Sequence, residues 1–528
     1  MSRFSVICVA VAMQGWLGLS AGLAQVNVLT QHNDNFRTGQ NINETVLTPA
    51  NVNAASFGKL FSQNVDGAIY AQPLYMSSVN IPNQGVHNVI YVATENDSVY
   101  AFDADSNQGP NSKPLWTASF TNPSLGITAV PSTDEGCADI APEIGITGTP
   151  VIDPSTNTLY VVANTKENGT YVQRLHALDA ATGAEKFGGP VEIRATYGGQ
   201  TFNAQGANQR AGLLLQAGVV YIAWASHCDM GPFTGWLMAY DARTLTRLHL
   251  WTVTTDYGYG GVWMGGTGLA GDGQGNIYFA TGNGTFDADG GGCNYGDTIL
   301  KMGMVTGRMK STVSHKFGVK DYFTPENQDF LKESDTDLGS GGVVLLPQQP
   351  GTDNQLLVLS GKEGTIFLAN RNNLGHYNPN SNNNLQTLNL TVGPIFGAPA
   401  YWNSTLYFWG IRDYLKAFSI TNGMLSTTPV DSGSVVIGYP TTTPSVSANG
   451  NTNGIVWGID ASAHSSGGPA VLHAFDAVSL GNELYDSSQN LARDNPGGAV
   501  QFTVPTIANG KVYVGTSTML SVYGLLNN

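Results

Sequence analysis

The feature that most constrains this chain is a phrase it keeps repeating. In Asn88–Trp116, NVIYVATENDSVYAFDADSNQGPNSKPLW, a β-branched and aromatic run stops at Glu95-Asn96-Asp97, which has turn chemistry. A second run, Val99 to Phe102, ends in Asp103 and a Gly/Asn-rich turn, and the next strand carries Trp116. The landmark of apolar strand, Asp and turn recurs as ALDAATG at Asp179, AYDART at Asp241 and AFDAVS at Asp476. Weaker copies stand at Gly303, Asn370, Ser419 and Gly524. These eight landmarks fall roughly 50 to 75 residues apart, at the long end of the spacing expected of propeller blades.

Each landmark is preceded by a Gly/Pro-led strand, such as GTPVIDP or VPTIANG, and by a second strand, such as NTLYVVAN or GKVYVGT. A four-stranded repeat cannot bury both faces alone, so neighbouring sheets must pack face to face around an axis. The last repeat stops at Leu526 without an outermost strand, while Phe57–Val65 reads as a strand without a hairpin of its own. The pattern therefore predicts an all-β fold, an eight-bladed β-propeller over 57–528, closed by pairing of N- and C-terminal strands. Separate sandwiches are the rival all-β arrangement, and the regular spacing and missing final strand count against them. Residues 25–56 are polar and Asn-rich and read as an irregular arm lying on the body.

Residues 1–24 have the layout of a secretory signal, with Arg3, an apolar stretch and small residues before Gln25. No cysteine follows that cut, which argues against a lipid anchor, and a secreted or periplasmic protein without membrane insertion is expected. The net charge of −15 excludes nucleic acid and anionic membranes as natural partners, since both require clustered Lys and Arg. Once Cys8 has left with the signal, Cys137, Cys228 and Cys293 remain, which suits one disulfide and one free thiol. Their spacing matches no zinc motif and no haem attachment site.

Strand order alone sorts the polar residues. If the innermost strand comes first in each blade, the loops entering it share a face with the loops joining the second and third strands. The entering loops carry Gln72, Glu143, Arg210, Trp263 and Asp337, and the second-to-third-strand loops carry Glu95, Asp97, Lys166, Glu167, His227, Asp229, Asn283, Lys362, Glu363, Arg412, Asp413 and His464. A mouth of mixed sign suits a small polar or anionic ligand. All three cysteines fall on the same face. Cys137–Cys228 is the expected disulfide, because Cys293 sits in the Gly-rich loop TFDADGGGCNYGD; Cys228–Cys293 stays open as the alternative. In that loop Asp287, Asp289 and Asp297 are candidate oxygen ligands for Ca²⁺, although Thr298 stands where an EF-hand loop needs Glu.

ALDAATGAEKF at 177–187 and AFDADSNQG…LW ending at Trp116 resemble the repeat of pyrroloquinoline-quinone (PQQ) β-propellers, the quinoprotein alcohol dehydrogenase-like superfamily. The resemblance covers nearly all of the chain after Phe57. It implies a quinone held over the channel, with Ca²⁺ or a lanthanide bound by carboxylate and amide oxygens and an Asp as base. Carried onto the sorted loops, it implies Glu143 and Asn283 as metal ligands and Arg210 and Lys362 for the cofactor's carboxylates. Trp263 becomes the stacking floor and Asp413 the base. The chain departs from that pattern in having no adjacent Cys-Cys pair and no Asp-Tyr base motif. Two functions are therefore expected: a quinoprotein-like oxidoreductase of small alcohols or sugars, or a non-catalytic propeller binding a ligand, glycan or protein without cofactor. A scaffold like the propeller lipoprotein of outer-membrane assembly is disfavoured by the missing lipidation cysteine.

Overall fold

The computed structural model describes residues 26–309, 312–351 and 354–526; the predicted signal at 1–24 lies outside them. The chain is an eight-bladed β-propeller. Blade 1 shows the plan, with antiparallel strands Leu74–Ile81, Gly85–Ala93, Ser98–Asp103 and Trp116–Ser119 from the axis outward. Leu74, Tyr91, Ala101 and Trp116 stand in one register row across it and pack against Leu159, Val161 and Leu178 of blade 2. Blades 2 to 7 begin at Val151, Leu214, Ala270, Val344, Ala400 and Ser445. Blade 8 takes three strands from the C-terminus, and Phe57–Asn64 adds the fourth against Met519–Leu525, as the orphan strand predicts. Phe57 is fully buried against Trp457, Tyr485 and Tyr523, so the ring is sealed by aromatic packing as well as by the ladder.

The repeated phrase is explained by what its residues touch. In ALDAATG the Asp179 carboxylate accepts from Ala181 N at 2.9 Å, an Asx turn that ends the strand. Asp103, Asp241 and Asp476 do the same for Asp105, Arg243 and Val478. The carbonyl following each of these four Asp residues accepts from a buried tyrosine of the preceding blade: Tyr91 to Ala180, Tyr160 to Ala242, Tyr407 to Ala477 and Tyr513 to Ala104. Trp116 Nε1 also donates to Ala180 O at 3.0 Å and lies over Gly183, where a Cβ would meet the indole at 2.5 Å. The motif is the joint between blades.

The arm runs through the channel, not over the outside of the body. Each blade's innermost strand leaves a row of backbone groups facing the axis, and burying them unpaired would cost several kcal/mol in total. The arm meets them blade by blade. Val28 exchanges two hydrogen bonds with Tyr75, and Leu29 O accepts from Ile152 N. Asn35 Nδ2 donates to Leu215 O, while Asn35 O, Phe36 O, Thr38 O and Gly39 O accept from Gly271, Leu345, Tyr401 and Val446. Asn41 Nδ2 reaches Ile507 O in blade 8. At the centre the fully buried Arg37 donates to Leu269 O, Leu213 O, Gln31 O and Thr30 Oγ1. The Asn-rich composition supplies donors and acceptors, not an exposed surface.

Among the described residues no helix is long and apolar enough to cross a membrane. The joint can be tested with two glycines that both have left-handed φ. Gly169 at φ +87° has no neighbour that a Cβ would touch, whereas Gly183 at φ +72° lies under Trp116. Gly169→Ala should cost about 1 kcal/mol for backbone strain alone. Gly183→Ala should cost at least about 2 kcal/mol by urea titration, and equal losses would deny the joint its steric role.

Candidate functional site

On the predicted face the loops surround a cavity of about 160 Å³ at the channel mouth. Its cations are Arg210 and Lys362, its carboxylates Asp139, Asp229 and Asp337, and its ring walls Trp263, Phe396, Tyr439 and Phe502. Arg210 immediately precedes blade 3, and its guanidinium carbon lies 4.0 Å from the centre of the Phe502 ring. Among the described residues it makes no hydrogen bond or ion pair, and its Nη2 is buried without a partner. Its charge is thus supported by the Phe502 ring face and by the field of the nearby Asp139 carboxylate, with no hydrogen bond between the two.

Lys362 is fixed differently. It sits in the tight turn after Leu356–Ser360, where its N–H donates to Asp337 O at 3.0 Å. Its Nζ lies 2.8 Å from Asp335 Oδ1 and 2.6 Å from Asp337 Oδ2. Burial opposes its charge, but Asp337 and Asp335 outweigh burial and push its pKa above the ordinary lysine value. Asp337 also accepts from Asn283 N at 2.6 Å, and Asn283 Nδ2 donates to Asp335 at 2.8 Å. Asn283 Oδ1 is buried and has no partner. Trp263 can lie this close to Asp337 only because Gly282 separates them: a Cβ there would come within 2.2 Å of Asp337 Oδ1 and 2.7 Å of the indole.

Opposite Lys362, Cys137 and Cys228 form a disulfide that ties the loop before blade 2 to the blade 3 turn, while Cys293 is free and exposed. Asp139 and Asp229 flank the disulfide. Burial works against the Asp139 carboxylate, but His227 and Arg210 hold it below the usual range. Asp229 is raised to about 6 by burial first and then by Asp337 and Asp335.

Of the residues singled out from the sequence, Arg210, Lys362 and Trp263 line the cavity. Asn283 stands just behind it, bracing Asp335 and Asp337. Glu143 does not line it: the short strand Glu143–Ile144 pairs with Val130 and Pro131 in a side hairpin, beside Gly67 in the link from Phe57–Asn64 to blade 1. Asp413 does not either, because its carboxylate is occupied by Gly393 N at 2.8 Å and Lys416 Nζ at 2.7 Å. In the Gly-rich loop Asp287 is taken up by Asn294, and Asp297 is buried beneath Leu338, so its carboxylates do not converge. Sequence reasoning missed Asp139, Asp335 and the three rings Phe396, Tyr439 and Phe502. The rings had a signal: each stands shortly before the Gly- or Pro-led start of an innermost strand, in IFGAP, GYPTTTP and QFTVP.

No family model matches the sequence, and no curated protein matches it. Solved structures do match the fold. A quinohemoprotein alcohol dehydrogenase from Pseudomonas putida HK5 aligns with TM-score 0.59 at 13% identity, over 95% of this chain and 80% of that one. One from Comamonas testosteroni aligns with TM-score 0.58 at 15% identity, over 96% and 81%. BamB from Moraxella catarrhalis aligns with TM-score 0.50 at 12% identity, over 89% and 98%. At such identities the likeness is one of fold and carries no activity over to this chain.

Asp229 gives the site a pH signature. A carboxyl raised in the folded state favours folding while protonated, so this contribution is present below the unfolded value near 4 and is lost as pH rises through about 6. Asp229→Asn should therefore raise the thermal midpoint at pH 7.5 and leave it unchanged at pH 3.5. Asp229 is open to solvent on one side, so screening keeps the gain under about 1 kcal/mol. A midpoint that falls at pH 7.5 would contradict the raised value.

Proposed function

We propose that this is an exported propeller whose channel mouth binds a small anionic ligand, with Arg210 as anchor and without a resident cofactor. The carrying observation is the Arg210 guanidinium, backed by Phe502 and with a buried Nη2 lacking any partner. A ligand carboxylate or phosphate meeting it would form charge-assisted hydrogen bonds and relieve that unmet donor. Trp263, Phe396 and Tyr439 supply apolar walls, and Asp139 and Asp229 repel poorly placed acidic groups. The predicted signal at 1–24 and the Cys137–Cys228 disulfide support export to an oxidising compartment.

A quinone and its metal fit these residues poorly. The cavity of about 160 Å³ is roughly half the 300 Å³ at which drug-sized ligand sites begin. The Lys362 ammonium fills the space between Asp335 and Asp337 that a cation would take. Glu143 and Asn283 belong to separate neighbourhoods, beside Gly67 and against Asp337 respectively. The second reading, a quinoprotein-like oxidoreductase of small alcohols or sugars, is favoured by one observation: the buried, unpartnered Asn283 Oδ1 beside two Asp residues.

Calorimetry with acetate, succinate, citrate and inorganic phosphate tests the first reading. At least one should bind, more tightly as pH falls from 7 toward 5 and Asp229 loses its charge. Arg210→Gln should weaken binding at least about tenfold, the loss of one charge-assisted hydrogen bond of roughly 1.5 kcal/mol or more. Asp413→Asn should leave it unchanged. No binding by any of these anions removes the ligand reading. An absorbance shift with PQQ and Ca²⁺, together with dye-linked alcohol oxidation, establishes the second.

A further inference from the structure

The turn His227–Cys228–Asp229–Met230 is the most strained piece of the rim. His227 O accepts from Met230 N at 3.0 Å, and both central residues are left-handed, Cys228 at φ 46° and Asp229 at φ 51°. Such a turn favours Asn-Gly, and Cys-Asp in its place is held there by its surroundings. Its effect is to place His227 inward and Cys228 against Cys137. His227 is 1% exposed, and neither ring nitrogen has a hydrogen-bond partner. The imidazole makes no hydrogen bond, and what it faces is specific: its Nδ1 lies 3.6 Å from Asp139 Oδ1, within ion-pair range.

Asp139 Oδ1 in turn lies 3.2 Å from Cys137 Sγ. The ligand atoms of Cys137, Asp139 and Cys228 all fall within 4.8 Å of one another. With Zn–N, Zn–O and Zn–S bonds of about 2.0 to 2.3 Å, the edges of a tetrahedron around zinc measure roughly 3.3 to 3.8 Å. The Asp139–His227 and Asp139–Cys137 separations are close to such edges. His227 stands just outside that group of three, reached through Asp139, and reduction would free both sulfurs to close with the imidazole around an ion.

We propose that Cys137, Cys228, Asp139 and His227 form a thiol-gated site for a soft divalent cation of the zinc class, closed while the disulfide is intact. A dithiol reductant gives two electrons and two protons to the disulfide and becomes a disulfide itself. The cation then displaces both thiol protons and takes two thiolates, one imidazole nitrogen and one carboxylate oxygen. The exposure of Cys228 gives a reductant access. In the oxidised rim Asp139 accepts from Ile140 N at 2.9 Å and faces His227, whereas the metallated rim would bind its carboxylate to the ion. The proposal does not rest on the mouth binding an anion, although the two sites share Asp139 and Cys228.

The test uses the full mature chain carrying Cys293→Ser, so that the exposed third thiol contributes nothing. After phosphine reduction and its removal, Zn²⁺ is titrated against a chromophoric chelator, and Co²⁺ binding is followed by absorption. Reduced protein should bind one Zn²⁺ per chain at least 100-fold more tightly than oxidised protein. Co²⁺ should give thiolate charge-transfer bands and the intense visible bands of a tetrahedral ion. His227→Gln should weaken binding at least tenfold, with Asp139→Asn as a second variant. Equal affinity before and after reduction, an octahedral Co²⁺ spectrum, or native affinity in both variants would overturn the proposal. The Co²⁺ spectrum of the otherwise native chain decides the matter even if both variants fail to fold.

Discussion

Everything in this propeller depends on how the free edges of eight innermost strands are paired. Blades stack by burying side chains, but their inner edges point at a narrow axis where no ninth sheet can stand. The chain resolves this with an arm that visits all eight edges and fixes its own centre with Arg37. A guanidinium suits that place because its fork of donors can satisfy several carbonyls at once. Burial lowers the Arg37 pKa toward about 9, with Asp34 opposing that shift. The cation is held in place by backbone dipoles as well as by a counter-ion. Backbone pairing at the axis therefore precedes any function the mouth performs.

The arm also sets the depth of the mouth. Gln31 Nε2 donates to Gly266 O, one residue beyond Gly265 in the cavity wall, and Gln31 packs where a Cβ on Gly212 would stand. His32 N donates to Gln72 Oε1, and Gln72 N takes Thr149 Oγ1 as acceptor, so floor, blade 1 and blade 2 share one polar network. An open channel would let water screen the charges above. A plugged one keeps Arg210 and Lys362 at the bottom of a cup, where opposite charges act more strongly.

Fold and face were legible in the sequence because both follow from periodicity. The four Asp landmarks mark the end of the third strand in blades 1, 2, 3 and 7, and the missing last strand points to Phe57–Val65 as the closing one. Radius was not legible. Arg210, Lys362, Glu143 and Asp413 sort alike by strand order, yet only the first two reach the cavity. What separates them is local competition: Lys416, three residues beyond Asp413, occupies that carboxylate, and a side hairpin carries Glu143 toward blade 1. The arm's path was hidden for a related reason. A segment that satisfies backbone groups of eight separate strands needs no periodicity of its own, and so it has the composition of a loop.

The rim differs from the floor in how it stores energy. Both carry left-handed non-glycine residues, His32, Asn33 and Arg37 in the floor and Cys228, Asp229, Met264 and Phe502 around the rim, but the floor is over-determined by backbone hydrogen bonds. Such conformations persist only when their surroundings hold them. Met264 is held by Gly339 O and the blade 3 turn by a covalent bond across the mouth, while Phe502 is covered by Arg210. Each restraint therefore joins a residue in or next to the cavity wall to a different blade. Rim shape and rim charge are set by the same few contacts, so a change in any one of them alters the mouth and leaves the eight-bladed body intact.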